Sequence, residues 1–268
     1  EMIAQFTEEN NLADLDNTTA TYTAVCGLGA RLMYIDTEGM ERVMNVKPWE
    51  VIFVYDSTLE EVQYALLYYD IQVQRPDGKM TTQTKVEWYD NSTITYFIGS
   101  LKTGFELDPN VEVNPQSHLF EEVPLIPFKN NDGLLGDFEK VSELIDNYDR
   151  LVSDVQNELE EFRLAYLVAY GVEPSAEVMA QARQTGMFAV TDKDGKMEFL
   201  TKNLNSDAVE AHKNTMKRNI YLFSATVDMS DENFSGASQS GESRKWKLID
   251  LENKAINKER KFNAALKE

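Results

Sequence analysis

Gly136-Asp137-Phe138-Glu139-Lys140-Val141-Ser142-Glu143-Leu144-Ile145-Asp146-Asn147-Tyr148-Asp149 opens a stretch without proline that runs to Gly171. Within it Val141, Leu144, Ile145, Tyr148, Leu151, Val152, Val155, Leu159, Phe162 and Tyr166 recur at steps of three and four, the spacing that lines one stripe of a helix. Asp137 reads as its N-cap and Gly171 as its stop. At 1.5 Å per residue such a helix would be roughly 50 Å long, and a rod of that length has to bury its stripe against something else.

The opposite face is acidic. Asp137, Glu139, Glu143, Asp146, Asp149, Asp154, Glu158, Glu160 and Glu161 stand against Lys140, Arg150 and Arg163. Two readings follow from the pattern: a solvated face of a core helix or coiled coil, or a helix whose stripe packs on neighbouring subunits while its acidic face looks into a shared space. Periodicity does not choose between them.

The whole chain shares this sign. Its 268 residues carry 26 Lys and Arg against 46 Asp and Glu, a formal charge of −20, with a hydrophobic content of 42% that suffices for a core in one large or two modest domains. Such a charge excludes a protein that clings to nucleic acid over its whole surface, though not one past which nucleic acid slides. Cys26 is the only cysteine, so no disulfide framework or thiol metal site exists; it reads as a buried structural thiol in a reducing compartment. No apolar run is long enough to span a membrane. The opening in mid-pattern at Glu1 reads as a fragment of something longer.

Upstream of the decisive stretch the chain reads as β-rich. Residues 1–20 suggest a polar helix end and turn, with Asn10, Asn11, Asp14, Asp16 and Asn17 as breakers, then a helix or strand at Thr21–Val25. Strands are expected at Leu32–Ile35, Arg42–Val46 and Val51–Tyr55. A meander follows at Tyr64–Val73, Met80–Tyr89 and Thr93–Ile98, its turns at Arg75-Pro76-Asp77-Gly78-Lys79 and Asn91-Ser92. Residues 99–117 read as loop, and Pro124 and Pro127 make 118–131 an extended edge segment.

Downstream, a short helix is expected within Pro174–Thr185, and strands at Phe188–Val190 and Met197–Thr201 joined by an Asp192–Lys196 hairpin turn. Asn205-Ser206-Asp207 can cap a second long helix that ends near Val227. Asp228–Gly241 reads as a mobile loop, and a third helix runs from about Glu242. From Arg244 to Glu268 eight basic residues face four acidic ones, a local excess of positive charge in an acidic chain. The fold class expected is therefore α+β.

No catalytic constellation emerges. His118 and His212 lie far apart without a nucleophile motif and read as structural. Gly27 and Gly29 are followed by Leu32 where a dinucleotide fingerprint needs glycine, no phosphate-binding P-loop is present, and Asp192–Gly195 lacks the glutamate of a calcium loop at Asn203.

Longer words carry more information. His118-Leu119-Phe120-Glu121-Glu122-Val123-Pro124-Leu125-Ile126-Pro127-Phe128-Lys129-Asn130-Asn131 precedes Gly136-Asp137-Phe138-Glu139, Leu144–Asp149, Ser153-Asp154 and Asn157-Glu158. A second block holds Phe234-Ser235-Gly236, Ser240-Gly241, Lys245-Trp246-Lys247-Leu248, Leu251-Glu252 and Lys258-Glu259-Arg260-Lys261-Phe262. Together they resemble the portal proteins of tailed bacteriophages, of the type found in long-tailed phages of Gram-positive hosts, over most of residues 20–268. The family's N-terminal part and C-terminal crown have no counterpart here.

The resemblance implies a ring of about twelve subunits at one capsid vertex of the virion, assembled in the host cytoplasm, through which double-stranded DNA is packaged and later ejected. It implies a wing at 1–135, a first stem helix at 136–171, a clip at 172–205, a second stem helix at 206–227, a tunnel loop at 228–243 and a wing helix at 244–268. The implied partners are further copies of the chain, DNA in the tunnel, the terminase large subunit at the clip, a head-completion adaptor, and the major capsid and scaffolding proteins; no cofactor, metal, membrane or enzymatic activity is implied. Ser235, Ser238, Gln239, Ser240, Glu242, Arg244 and Lys245 would face DNA from the tunnel loop, and Asp146, Asp149, Asp154, Glu158 and Glu161 would line an acidic channel that repels the moving duplex. The chain departs from the family at Glu242-Ser243-Arg244, where small or apolar residues are usual, and in a lengthened loop before them. The alternative is a coiled-coil adaptor or scaffold without a DNA channel.

Overall fold

The computed structural model describes residues 2–58, 61–74, 78–161, 166–170, 175–177, 180, 184, 196–200, 206–229 and 241–268. It is mixed α and β and divides into two units, one built from residues 1–140 with 224–268 and the other from 141–223.

The first unit opens with helices α1 (Met2–Glu9) and α2 (Leu12–Cys26). Strand β1 (Leu28–Ile35) follows, buried at residues 29–32 and the centre of a three-stranded antiparallel sheet, between β2 (Glu41–Val46) and β9 (Leu125–Lys129). The register pairs Ala30 with both Val46 and Pro127, so β9 is an edge strand and tolerates its proline. A second sheet of six strands has the order β3 (Val51–Tyr55), β4 (Val62–Gln74), β5 (Met80–Tyr89), β6 (Thr93–Ser100) and β7 (Gly104–Leu107), with the short β8 (Gln116–Ser117) also on β6.

Period-two alternation along β1 divides its side chains between two jobs. Ala30 and Leu32 enter a core with Val46, Val51, Ala65, Leu67, Tyr89 and Leu125, which joins the two sheets. Gly29 and Arg31 serve α2 instead. A Cβ on Gly29 would come within 3.0 Å of the Thr19 methyl and 3.2 Å of that of Thr23, so its bare backbone lets the helix approach closely. The Arg31 guanidinium is buried, pairs with Asp16 at 2.6 Å and donates to Thr19 Oγ1 and Asn45 Oδ1.

Helix α2 stops at Gly27, whose φ of +76° is the left-handed cap conformation. A Cβ there would lie 1.9 Å from the Leu134 carbonyl oxygen. Gly27→Ala is therefore expected to destabilise the first unit by at least ~2 kcal/mol, from backbone strain and this clash together. Chemical denaturation of the variant checks it.

In the second unit, α3 (Ser142–Glu161) packs against α4 (Ser206–Phe223), and β10 (Tyr166–Tyr170) pairs antiparallel with β11 (Lys196–Leu200) in the register Tyr166 to Leu200. The last helix, α5 (Gly241–Ala265), returns to the first unit and lies on β9.

Several sequence expectations need correction. The helix expected over 136–171 is the 20-residue α3, because Tyr166–Tyr170 is a strand that gives its backbone bonds to Lys196–Leu200. Glu158, Glu160 and Glu161 crowd the carboxyl end of α3, where the helix dipole disfavours negative charge. At its start, a 3-10 turn at Glu139–Val141 precedes it and Asp137 is no N-cap. The Asp137 amide donates to Ala24 O at 2.8 Å and its carboxylate binds lysines of α5.

The N-terminal region breaks at Asn10-Asn11, as expected, with Asn11 at φ +48°, but Asp14, Asp16 and Asn17 lie within α2, and Asp16 is a counter-ion, not a breaker. Residues 99–117 contain β7 and β8. Helix α4 ends at Phe223, four residues early, with Ala225 at φ +52° after it. Helix α5 begins at Gly241, so positions 241–243 belong to it and not to the loop. Cys26 is half-buried where a buried thiol was expected. The strand expected at Phe188–Val190 and its hairpin turn up to Gly195 lie outside the described residues, and the described partner of Lys196–Leu200 is Tyr166–Tyr170.

Candidate assembly and channel surfaces

Burial along α3 follows the expected period in part, with Val152 of the stripe exposed and Glu158 of the acidic face half-buried. Leu144, Ile145, Tyr148, Leu151 and Val155 are half-buried, whereas Asp146, Asp149, Asp154 and Glu160 are exposed on the other side. Glu158 is half-buried, and Glu161 ends the helix, its side chain lying outside the described residues. Seven acidic residues against Arg150 make α3 strongly negative. On α4, Val209, Met216 and Ile220 are half-buried, no residue is fully buried, and Leu222 and Phe223 are exposed. Pairing α3 with α4 thus leaves both apolar stripes partly in water, and Val152 of α3 is exposed as well.

The basic helix α5 is held by aromatic and ionic contacts at its carboxyl half. The Phe262 ring lies 4.9 Å from that of Phe128, and the Arg31 guanidinium sits over both rings, at 4.7 Å from Phe128 and 5.8 Å from Phe262. Lys258 Nζ donates to Asp137 Oδ2 at 2.5 Å, Lys254 lies 3.7 Å from Oδ1 and donates to Ser224 O, and Lys261 pairs with Asp132. At the amino half, Lys245, Trp246 and Lys247 are exposed.

Asp137 is where these threads meet. Burial works against its charge, but hydrogen bonds from Lys258 and Asn130 and the charges of Lys258 and Lys254 outweigh it and hold the carboxyl below its ordinary range. Asn130, itself buried, also donates to Leu135 O at 2.8 Å, and Glu139 Oε1 accepts from the Gly136 amide. The words Asn130-Asn131 and Gly136–Glu139 therefore build a brace at the end of the first unit, not a helix cap.

A carboxyl with a depressed folded pKa stabilises the fold above its unfolded value of about 3.9, and that contribution is lost as pH falls through the folded pKa. Asp137→Asn is accordingly expected to cost about 1 to 2 kcal/mol at neutral pH and almost nothing near pH 2. Thermal unfolding of both proteins across that range checks the convergence.

His118 behaves as a structural residue. It is buried, its Nε2 lies 2.8 Å from Asp90 O, and Nδ1 accepts from the Phe120 amide at 3.1 Å. Among the described residues no group of three or more metal-ligating side chains forms, and no helix is long and apolar enough to cross a membrane.

Of the tunnel-loop residues, Ser235, Ser238, Gln239 and Ser240 lie outside the described residues. Glu242 and Arg244 fall in the first turn of α5, with side chains outside the description, and Lys245 is exposed on the next turn. Asp146, Asp149 and Asp154 are all exposed, off the half-buried stripe of α3. The brace at Asp137 was missed in the sequence, and its only signal was the excess of lysine in the final helix.

Comparison with known proteins agrees with the motif words. The profile of the family described as phage portal protein, SPP1 Gp6-like, matches residues 1–268, and the chain belongs to that family. It is 28% identical over 277 residues to the portal protein of Bacillus phage SPP1, covering 96% of this chain and 53% of that protein. To the portal protein of Clostridium phage phiCD119 it is 28% identical over 231 residues, covering 80% of this chain and 50% of that protein. The chain spans about half the length of these relatives.

Proposed function

We propose that the chain forms a ring at a capsid vertex, a conduit through which double-stranded DNA is packaged by a terminase motor and later ejected. The observation that carries this reading is the match of a portal family over residues 1–268. The division of α3 into a half-buried apolar stripe and an exposed acidic face supports it. Neighbouring copies would cover the stripe, and the acids would repel a passing duplex.

In this reading the β-rich unit with α5 is the wing, α3 and α4 are the stem, residues 172–205 form the clip that meets the terminase large subunit and later the head-completion adaptor, and the loop before α5 reaches DNA. Capsid and scaffolding proteins would meet the wing. Asp146, Asp149, Asp154, Glu158 and Glu161 would line the channel, and Ser235, Ser238, Gln239, Ser240, Glu242, Arg244 and Lys245 would touch phosphates briefly. The chain has no catalytic role here and acts as the structural wall past which a separate motor drives DNA.

Native mass spectrometry tests the proposal. A species of about twelve copies is expected, whereas a dimer or trimer at high concentration would favour a coiled-coil adaptor and overturn the conduit.

A further inference from the structure

The chain leaves the first unit after Lys140 and returns to it at Ser224. The exit is anchored to the body of that unit. The Asp137 amide donates to Ala24 O at 2.8 Å, Asn130 donates to Leu135 O and to Asp137 Oδ1, and a Cβ on Gly136 would lie 2.5 Å from Val25 O, so the segment runs tight against the end of α2. The return is a local turn. Ala225 takes a φ of +52°, the Ser224 and Thr226 hydroxyls lie 2.6 Å apart, and residues 224–228 are half-buried.

Both points meet the same stretch of α5. Lys254 and Lys258, four residues apart, lie on one side of that helix. Lys258 serves the exit, donating to Asp137 Oδ2 at 2.5 Å. Lys254 serves both: it stands 3.7 Å from Asp137 Oδ1 and donates at 3.0 Å to the main-chain oxygen of Ser224, the first residue of the return. An ammonium group has three donors and no acceptor, so one lysine can hold a carboxylate and a carbonyl at once. Its side chain is 23% exposed, so the ion pair adds little to stability, and what the lysine supplies is chiefly position.

We propose that Lys254 is a positioning residue that ties the return at Ser224 to α5. The exit stays fixed to α2 by its own bonds, whereas the return follows the helix. Helix α4 ends at Phe223, the residue before the return, and the proposed DNA-facing loop leads directly into α5. A displacement of α5 is thus handed to the end of α4 through a side chain, by a route separate from the loop itself. The use of this tie rests on the channel reading above; its geometry does not.

The test measures spin-label distances in the full chain, in a Cys26→Ser background, with labelled chain diluted into unlabelled chain. One pair, Asn257→Cys with Met229→Cys, reports α5 against the return; the other, Asn257→Cys with Phe138→Cys, reports α5 against the exit, and all three positions are exposed. Lys254→Met is expected to broaden the first distance distribution and leave the second narrow, because Lys258 still holds Asp137. Lys254→Arg should keep the first distribution narrow, and Lys261→Met, which removes a charge from the same helix together with the Asp132 ion pair, should leave both unchanged. An unaltered first distribution in Lys254→Met would overturn the tie, and so would equal broadening of both, the mark of a helix that has merely loosened. The measurement needs no ring: a chain that forms none but gives the expected distances keeps the tie and loses the channel reading, and rings without the expected distances lose the tie alone.

Discussion

Phe128→Ala is expected to lower the stability of the first unit by about 4 kcal/mol, the range for removing a fully buried aromatic. Phe128 is 1% exposed on an edge strand, and its ring is the surface on which α5 lands. Its loss removes the Phe262 stack and the ring beneath the Arg31 guanidinium in one step. The basic helix would then depend on Asp132, Asp137 and Ser224 O, contacts that are partly exposed and individually weak. Denaturant unfolding gives the magnitude, and hydrogen exchange in residues 251–265 should show that helix loosening first.

Asp16→Ala is expected to cost about 3 kcal/mol, because it strands a buried cation. The Arg31 side chain is 4% exposed, and its remaining partners Thr19 and Asn45 are neutral. Arg31→Met should cost less than Asp16→Ala, since an apolar side chain of similar length suits a site beneath Phe128 and Phe262 while Asp16, 40% exposed, can return to water. Because Arg31 touches both Asp16 and Phe128, the double variant Asp16→Ala with Phe128→Ala should be less destabilised than the two single costs added together. Urea melts of the four proteins complete the cycle.

What could be read from the residues alone was whatever local chemistry decides. Ile94, Tyr96 and Ile98 alternate along β6, and Asp90 closes the turn before it by accepting from the Ser92 and Thr93 amides, so that meander is written in neighbouring positions. The acidic and apolar faces of α3 were visible for the same reason. Its end was not: Phe162 and Tyr166 continue the helical period, and only the pairing with Lys196–Leu200, some thirty residues on, makes Tyr166–Tyr170 a strand. Asp16 and Asp137 failed likewise, one taken for a breaker and the other for a cap, because their partners Arg31, Lys254 and Lys258 are brought to them by the tertiary fold. In the proposed ring the direction in which the acids of α3 face would be set by other copies of the chain, which no intrachain period encodes.

Both stabilising clusters lie outside the surface on which the proposed function depends, so substitutions there and on α3 should separate cleanly. Loss of Phe128 or Asp16 should act first on the folding of the monomer. Loss of the α3 acids, all exposed or at the helix end, should leave the fold intact and change only how the ring treats a duplex.

The most direct measurement is a cryo-electron microscopy map of the assembled chain, resolved well enough to trace α3. The expected map is a closed ring with an axial hole wider than a duplex, Asp146, Asp149 and Asp154 turned towards the axis, and Leu144, Tyr148 and Leu151 covered by adjacent copies. A map with those carboxylates on the outer wall, or with α3 and α4 closed into a bundle within one chain and no hole, would contradict the conduit.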